Sequence, residues 1–289
     1  MNRRQFVVKS SQAAALLAVL PNISCMSLNS DGIFKEFGIQ LWTLRDIISK
    51  DPKGTIQQIA KMGFTQIESY EGEKGIFWGM KPNEFKSFLS DQGLTFLSSH
   101  CNWKENVQEK AAQVASIGGK YLICPWLGPQ KTIDDYKRFA AEFNQAGEVC
   151  KKEGVKFVYH NHDYTFKEVE GQIPQDIFMD FTDADLVDFE LDLYWVVTAG
   201  VDPIEYMTKY KNRFSLCHIK DRNKNSTEPF DSCTLGEGMI NYVELLAKAK
   251  DLGMKHFIYE QEKYDAKGVL ANAETSANYL KKLQINSKK

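Results

Sequence analysis

The chain carries five histidines, and four of them, His100, His160, His162 and His218, stand at or just past the ends of short apolar runs. Carboxylates occupy equivalent places at Glu68, Asp192, Glu260 and Glu262. If those runs are β-strands, residues at i and i+2 project to one side. His160 then shares a face with His162, and Glu260 with Glu262. Imidazoles and acids gathered away from water must be paired or neutralised, and a divalent cation does both. The pattern predicts a centre for manganese, zinc, cobalt or magnesium, and mixed imidazole and carboxylate donors favour zinc or manganese over an ion that prefers oxygen alone. His256 begins its run rather than ending it, which assigns it to the opposite face as a structural residue.

Such residues converge only if many strands present their ends at one place. From residue 37 the sequence alternates apolar runs with longer amphipathic stretches. The expected strands are Phe37–Trp42, Gln66–Tyr70, Thr95–His100, Tyr121–Pro125, Lys156–Asn161, Val187–Tyr194, Phe214–Lys220 and His256–Gln261. Their near-continuous hydrophobicity suits strands buried on both faces. Helical patterns fill the gaps at Thr55–Met62, Pro82–Leu89, Asn106–Ile117, Thr132–Glu153, Pro174–Phe181, Pro203–Lys209, Tyr242–Leu252 and Ala271–Leu283. Gly63, Gly93, Gly118, Gly154 and Gly253 follow helix ends, where glycine is favoured. A strand start every ~30 residues is the size of one βα unit, and eight units predict a single-domain α/β fold, the (β/α)8 TIM barrel, over residues 31–289. An open Rossmann sheet lacks its GxGxxG turn. In a closed barrel the C-terminal strand ends share one mouth, where active sites sit. The polar stretch Asp221–Met239 is expected to be a loop over that mouth.

Composition narrows the partners. The formal net charge is −2, so no basic surface invites nucleic acid. Arg3, Arg4 and Lys9 precede the uncharged run Ala13–Leu20, which predicts an export signal with linker over residues 1–30 and a periplasmic or exported protein. The run is too short for a permanent membrane anchor. The start Asn2-Arg3-Arg4-Gln5-Phe6 resembles a twin-arginine signal, which implies the twin-arginine export machinery as a partner, and Cys25 offers a weak lipid-anchor site. No CxxC pair occurs, and Cys101, Cys124 and Cys217 read as small packing residues in strands.

Several motifs, in order, resemble the xylose isomerase-like barrel superfamily of sugar phosphate isomerases and epimerases. Gly38-Ile39-Gln40-Leu41-Trp42-Thr43-Leu44-Arg45-Asp46 is similar to its first-strand pattern GxQLYSxRD, and Tyr159-His160-Asn161-His162-Asp163-Tyr164-Thr165-Phe166 to YHNHDYEF. Leu191-Asp192-Leu193-Tyr194-Trp195, Leu216-Cys217-His218-Ile219-Lys220-Asp221, Leu235-Gly236-Glu237-Gly238 and Tyr259-Glu260-Gln261-Glu262 resemble the later segments. The resemblance covers the chain from about residue 35 and implies a divalent metal held by an acid on strand five, Asp on six, His on seven and Glu on eight. The last three fall on Asp192, His218 and Glu260. Strand five departs from the pattern: His160 stands in place of the acid, His162 is an alternative ligand, and Thr165 replaces the pattern's later Glu.

The chemistry so implied takes a proton from carbon beside a carbonyl and returns it elsewhere, with the developing charge stabilised electrostatically. Acid and base must flank the substrate, and the choices are Glu260 or Glu262 with His100 or His162. Lys220 either donates to the developing oxyanion or pairs with Asp221 or Asp192. Trp42, Trp103, Trp126 and Trp195 offer apolar faces to a small carbohydrate-like substrate, and Glu68, with Arg222 and Glu237 of the long loop, offers polar contacts. The same machinery could eliminate a group from a keto-sugar or keto-glycoside as a lyase or dehydratase. A DNA-repair endonuclease would need a basic groove, and a non-catalytic carbohydrate-binding barrel would follow from loss of the strand-five acid.

Overall fold

The computed structural model describes residues 32–284; the basic and apolar N-terminal segment, Cys25 included, lies outside them. Eight parallel strands close into a barrel: β1 Gly38–Gln40, β2 Gln66–Tyr70, β3 Thr95–His100, β4 Tyr121–Cys124, β5 Lys156–His160, β6 Val187–Asp192, β7 Phe214–Ile219 and β8 His256–Tyr259. Each pairs with its sequence neighbours, and Gly38 and Ile39 close the ring against Ile258 and Tyr259. Around it run α1 Pro52–Met62, α2 Pro82–Asp91, α3 Val107–Ser116, α4 Ile133–Lys152, α5 Pro174–Phe181, α6 Pro203–Lys209, α7 Tyr242–Asp251 and α8 Val269–Leu283. Proline opens α1, α2, α5 and α6, where its missing N–H would have no helical partner. Among the described residues no helix is long and apolar enough to cross a membrane.

All eight expected strands form, but several stop short, for local reasons. The Gln40 side chain accepts from Trp42 N at 2.9 Å, turning Leu41–Leu44 into a 3-10 turn instead of more strand. Asp192 accepts from Trp195 N at 3.2 Å and caps a short helix, Leu193–Thr198, so β6 ends at Asp192 rather than Tyr194. β4, β5, β7 and β8 end at Cys124, His160, Ile219 and Tyr259, before the expected Pro125, Asn161, Lys220 and Gln261. The residues beyond these ends are therefore rim residues, free of the strand's alternation.

The lower barrel is filled by Leu97, Tyr121, Ile123, Val158, Leu216 and Ile258, while a larger apolar layer packs the helices on the outer face of the sheet. Cys124 and Cys217 are buried in strands as expected, whereas Cys101 lies one residue beyond β3. His256 sits at the bottom, 5.5 Å from the Tyr121 ring, and its Nδ1 is buried without a hydrogen bond. Burial, with Lys120 and Lys255 nearby, lowers its pKa to about 4. A histidine that resists protonation only when folded costs nothing above its unfolded value of ~6.5. As pH falls toward about 4 the unfolded chain binds the extra proton, and stability drops by on the order of 3 kcal/mol. His256→Phe should remove that increment. Melting curves of the two proteins should converge or cross as pH falls from neutral to about 4, and a stability difference independent of pH would contradict this role.

Candidate metal and proton-transfer site

Above the apolar plug the barrel interior turns polar. Alternation along β6 directs Glu190 and Asp192 inward, with β7 adding His218, β5 His160, β3 His100 and β2 Glu68. Lys220 and Glu260 follow β7 and β8 directly. All eight of these side chains are buried. Asn161 fixes their mutual height: its side chain accepts from Asp192 N at 2.9 Å and donates to Asp192 O at 3.3 Å, tying the ends of β5 and β6.

Two linked clusters result. In the upper one, His218 Nδ1 lies 3.3 Å from Glu260 Oε2 and 3.7 Å from Asp192 Oδ2, and His160 Nε2 lies 3.7 Å from the same Asp192 oxygen. Lys220 Nζ reaches Glu260 Oε2 at 2.6 Å, Asp192 Oδ2 at 3.1 Å and Glu262 Oε1 at 3.4 Å. In the lower one, Glu190 Oε2 meets His100 Nε2 at 2.9 Å and His160 Nδ1 at 3.0 Å. Glu68 Oε1 meets His218 Nε2 at 2.7 Å.

The upper cluster fits a divalent cation. Apart from the Lys220 ion pair, Asp192 Oδ2 makes no hydrogen bond, and neither does His218 Nδ1, though both are buried. Asp192, His218 and Glu260 offer donor atoms that all lie within 4.8 Å of one another. Donor separations of 3.3–3.7 Å match ligands held at ~2.1 Å around one ion. His160 Nε2 stands 3.7 Å from Asp192 Oδ2, although His160 itself converges with His100, Glu190 and His218 in a second set of possible metal donors; His162 faces elsewhere, its ring against Trp126, centroids 4.5 Å apart.

Electrostatics separates the groups above. Burial opposes charge on Glu260, but Lys220 and His218 overcome it and hold its carboxyl well below the usual range. Glu262, two residues on and nearer solvent, is pushed up by burial against the pull of Lys220. Burial, aided by His160 and Lys220, keeps His162 well below the usual histidine value and therefore neutral. Burial disfavours charge on His100 too, yet Glu68 and Glu190 push its pKa up to about 9. On Lys220 burial is outweighed by Asp192, Glu260 and Glu262, so the ammonium persists.

A cavity of about 670 Å3 opens over these residues, within the size range of small-ligand pockets. His100, His160, His162, Glu260 and Glu262 form its polar side, and Trp42, Trp103, Trp126 and Phe230 its aromatic walls. Trp42 and Trp126 are 42% and 52% exposed, faces available to a sugar ring. Glu262 Oε2 and His162 Nδ1 are buried without hydrogen bonds.

Some expected contacts lie elsewhere. Trp195 is fully buried beneath the floor, under Lys220 at 5.3 Å, because the cap at Asp192 turns the chain away before reaching it. Glu68 is likewise below the cavity, held by Gln40 at 2.9 Å and Ser98 at 2.5 Å. Lys220 pairs with Asp192 but not with Asp221, which points outward and accepts from the N–H groups of Gly236, Gly238 and Ile240. A Cβ at Gly238 would stand 2.1 Å from that carboxylate, so this turn requires glycine. Arg222 spends its donors on Tyr194, Ser226 and Pro229, bracing the loop instead of facing the cavity, and Glu237 is exposed outside it. Glu190, Gln40, Ser98, Asn161 and Phe230 were not anticipated. Glu190 alone had a readable signal, its place two residues before Asp192 on one strand.

A family model described as xylose isomerase-like TIM barrel matches residues 56–283. Two solved structures of sugar phosphate isomerase/epimerases from Parabacteroides distasonis are similar. One has 32% identity and a TM-score of 0.71, covering 85% of this chain and 93% of that one; the other has 30% and 0.76, covering 86% and 98%. The inosose dehydratase of Geobacillus kaustophilus is 27% identical over 203 residues, 62% of this chain and 64% of its own length. The match to this curated relative thus spans less than two thirds of its length.

Proposed function

The chain belongs to the xylose isomerase-like TIM barrel family, and from that premise we propose that it is a divalent-metal-dependent sugar isomerase or epimerase that moves a proton on carbon beside a carbonyl. The observation that carries this reading is the convergence of Asp192, His218 and Glu260 beneath the cavity, with His218 Nδ1 lacking a hydrogen bond and Asp192 Oδ2 lacking one apart from its Lys220 ion pair. His160, Asp192, His218 and Glu260 would hold the ion. When bound, such an ion polarises a carbonyl and stabilises negative charge as it develops on oxygen. The chain's own groups do the rest. His162, neutral and facing the cavity, accepts the proton, and negative charge growing beside it raises its basicity. Glu262, whose carboxyl burial pushes above the usual carboxylate range, would return a proton. Lys220 holds Glu260 and Asp192 in place. Trp42 and Trp126 present faces to the sugar.

Dehydration is the second reading, favoured by the inosose dehydratase likeness and by the place of Glu262 on the cavity lining, from which its carboxyl could donate to a departing hydroxyl. One experiment addresses both. The manganese- or zinc-loaded protein is incubated in deuterated water with aldoses, ketoses, inososes and keto-glycosides. Deuterium on carbon beside the carbonyl, with all substrate oxygens retained, is the expected result. The same label with loss of water marks a dehydratase. No label on any compound would contradict the enzymatic proposal and favour a non-catalytic carbohydrate-binding barrel.

A further inference from the structure

Beneath the candidate metal ligands lie two carboxylates that the proposed chemistry does not use. Glu190 Oε2 stands 2.9 Å from His100 Nε2, 3.0 Å from His160 Nδ1 and 3.3 Å from His218 Nε2. Glu68 Oε1 stands 2.7 Å from His218 Nε2 and 3.2 Å from His100 Nε2. Glu68 is itself fixed as an acceptor, because Gln40 Nε2 donates to Oε1 and the Ser98 hydroxyl to Oε2. The strand pairing shifts register opposite both glutamates: Leu97 is an extra residue in β3 between the partners of Ile67 and Glu68, and Ser215 is an extra residue in β7 between those of Phe189 and Glu190. An extra residue bends the strand that carries it, here the strands that bear His100 and His218. The fold thus departs from regular pairing where these acids and histidines are brought together.

The geometry points to Glu190 and Glu68 as positioning residues that set the tautomers of His160 and His218 so that their lone pairs converge on Asp192. An ionised carboxylate only accepts, and a neutral imidazole carries one N–H and one lone pair. The nitrogen facing the carboxylate therefore bears the proton. For His160 that is Nδ1, which leaves the lone pair on Nε2, 3.7 Å from Asp192 Oδ2. For His218 it is Nε2, which leaves the lone pair on Nδ1, 3.7 Å from the same oxygen and 3.3 Å from Glu260. In the ion-loaded protein, where both rings are neutral, they would be held in opposite tautomers with their free lone pairs on one side. Carboxylates behind ligating histidines commonly act this way, and losing one costs 10–100-fold in metal affinity. The inference rests on the metal reading of the preceding section.

The test uses the full chain and zinc alone. Zinc affinity is measured by competition with a chelator, and the imidazole tautomers by long-range proton–nitrogen correlation spectra of the zinc-loaded protein. The expected spectrum shows the proton on Nδ1 of His160 and on Nε2 of His218. Glu190→Gln should weaken zinc binding roughly 10–100-fold with an unchanged circular dichroism spectrum. Should that variant fail to fold, Glu68→Gln carries the same expectation through His218. Wild-type affinity in the folded variants, or the reverse tautomer at either ring, would overturn the assignment. So would two zinc ions per chain with one lost in Glu190→Gln, which would make Glu190 a ligand. Failure of the wild type to take up zinc overturns this inference and the metal reading together. Intact zinc behaviour without deuterium exchange on any substrate sinks only the proposed reaction.

Discussion

Asp192→Asn protein is expected to lose its divalent ion and nearly all of its turnover while keeping its barrel. The substitution is chosen for what it preserves. Asp192 uses Oδ1 to cap Trp195 N and Oδ2 to face His218, His160 and Lys220. An amide oxygen can still cap the short helix, but the anionic donor is gone. Removing a direct ligand should weaken zinc or manganese binding by more than the roughly 10–100-fold that an outer-shell partner is worth. Losing several kcal/mol of charge stabilisation then lowers kcat on the order of 1,000-fold. The stability change should be smaller than for Asp192→Ala, which also removes the cap. Lys220 remains paired with Glu260 at 2.6 Å, so its charge is not stranded, a loss that costs ~3–5 kcal/mol. Chelator competition and steady-state kinetics check both halves. A variant that keeps its ion and its rate would remove Asp192 from the centre.

The second large effect separates proton transfer from metal holding. His162→Ala and Glu262→Gln should each lower kcat by roughly 100- to 10,000-fold, the usual worth of a positioned acid or base. Zinc affinity in both should stay near wild type, because neither side chain is among the converging donors. The two should also differ from each other in deuterated water. If His162 removes the proton, its loss abolishes exchange into recovered substrate. If Glu262 delivers the proton, Glu262→Gln should retain some exchange while product formation falls. Equal loss of exchange and turnover in both would require a different division of roles. Loss of zinc from either variant would place it in the centre instead.

The barrel was legible because its strands are buried on both faces and read as apolar runs, which terminate wherever an acid or histidine begins. That contrast marks His100, His160, Asp192, His218 and Glu260 in the sequence alone. It worked less well one residue further along the chain. Trp195 is expected at the mouth because it lies near a strand end, but Asp192 caps a helix there and the chain turns away. Asp221 is one candidate partner for Lys220 in the sequence, whereas in the fold its carboxylate is taken by the N–H groups of Gly236, Gly238 and Ile240. Glu190 escaped notice because a second acid inside an apolar strand looks costly until its three imidazole partners, from β3, β5 and β7, are in view. Those contacts join residues 28–90 positions apart, and no local pattern encodes them. Phe230 belongs to a loop whose closure depends on Arg222 and Tyr194 meeting Pro229, again a tertiary fact.

The most direct measurement is anomalous scattering from a crystal of the manganese-loaded protein. A single strong peak is expected ~2.1 Å from Asp192 Oδ2, His218 Nδ1 and a Glu260 oxygen, with His160 Nε2 as the fourth protein donor. No peak at that point after loading, or a peak bound by other residues, would contradict a metal-dependent reaction at this barrel mouth.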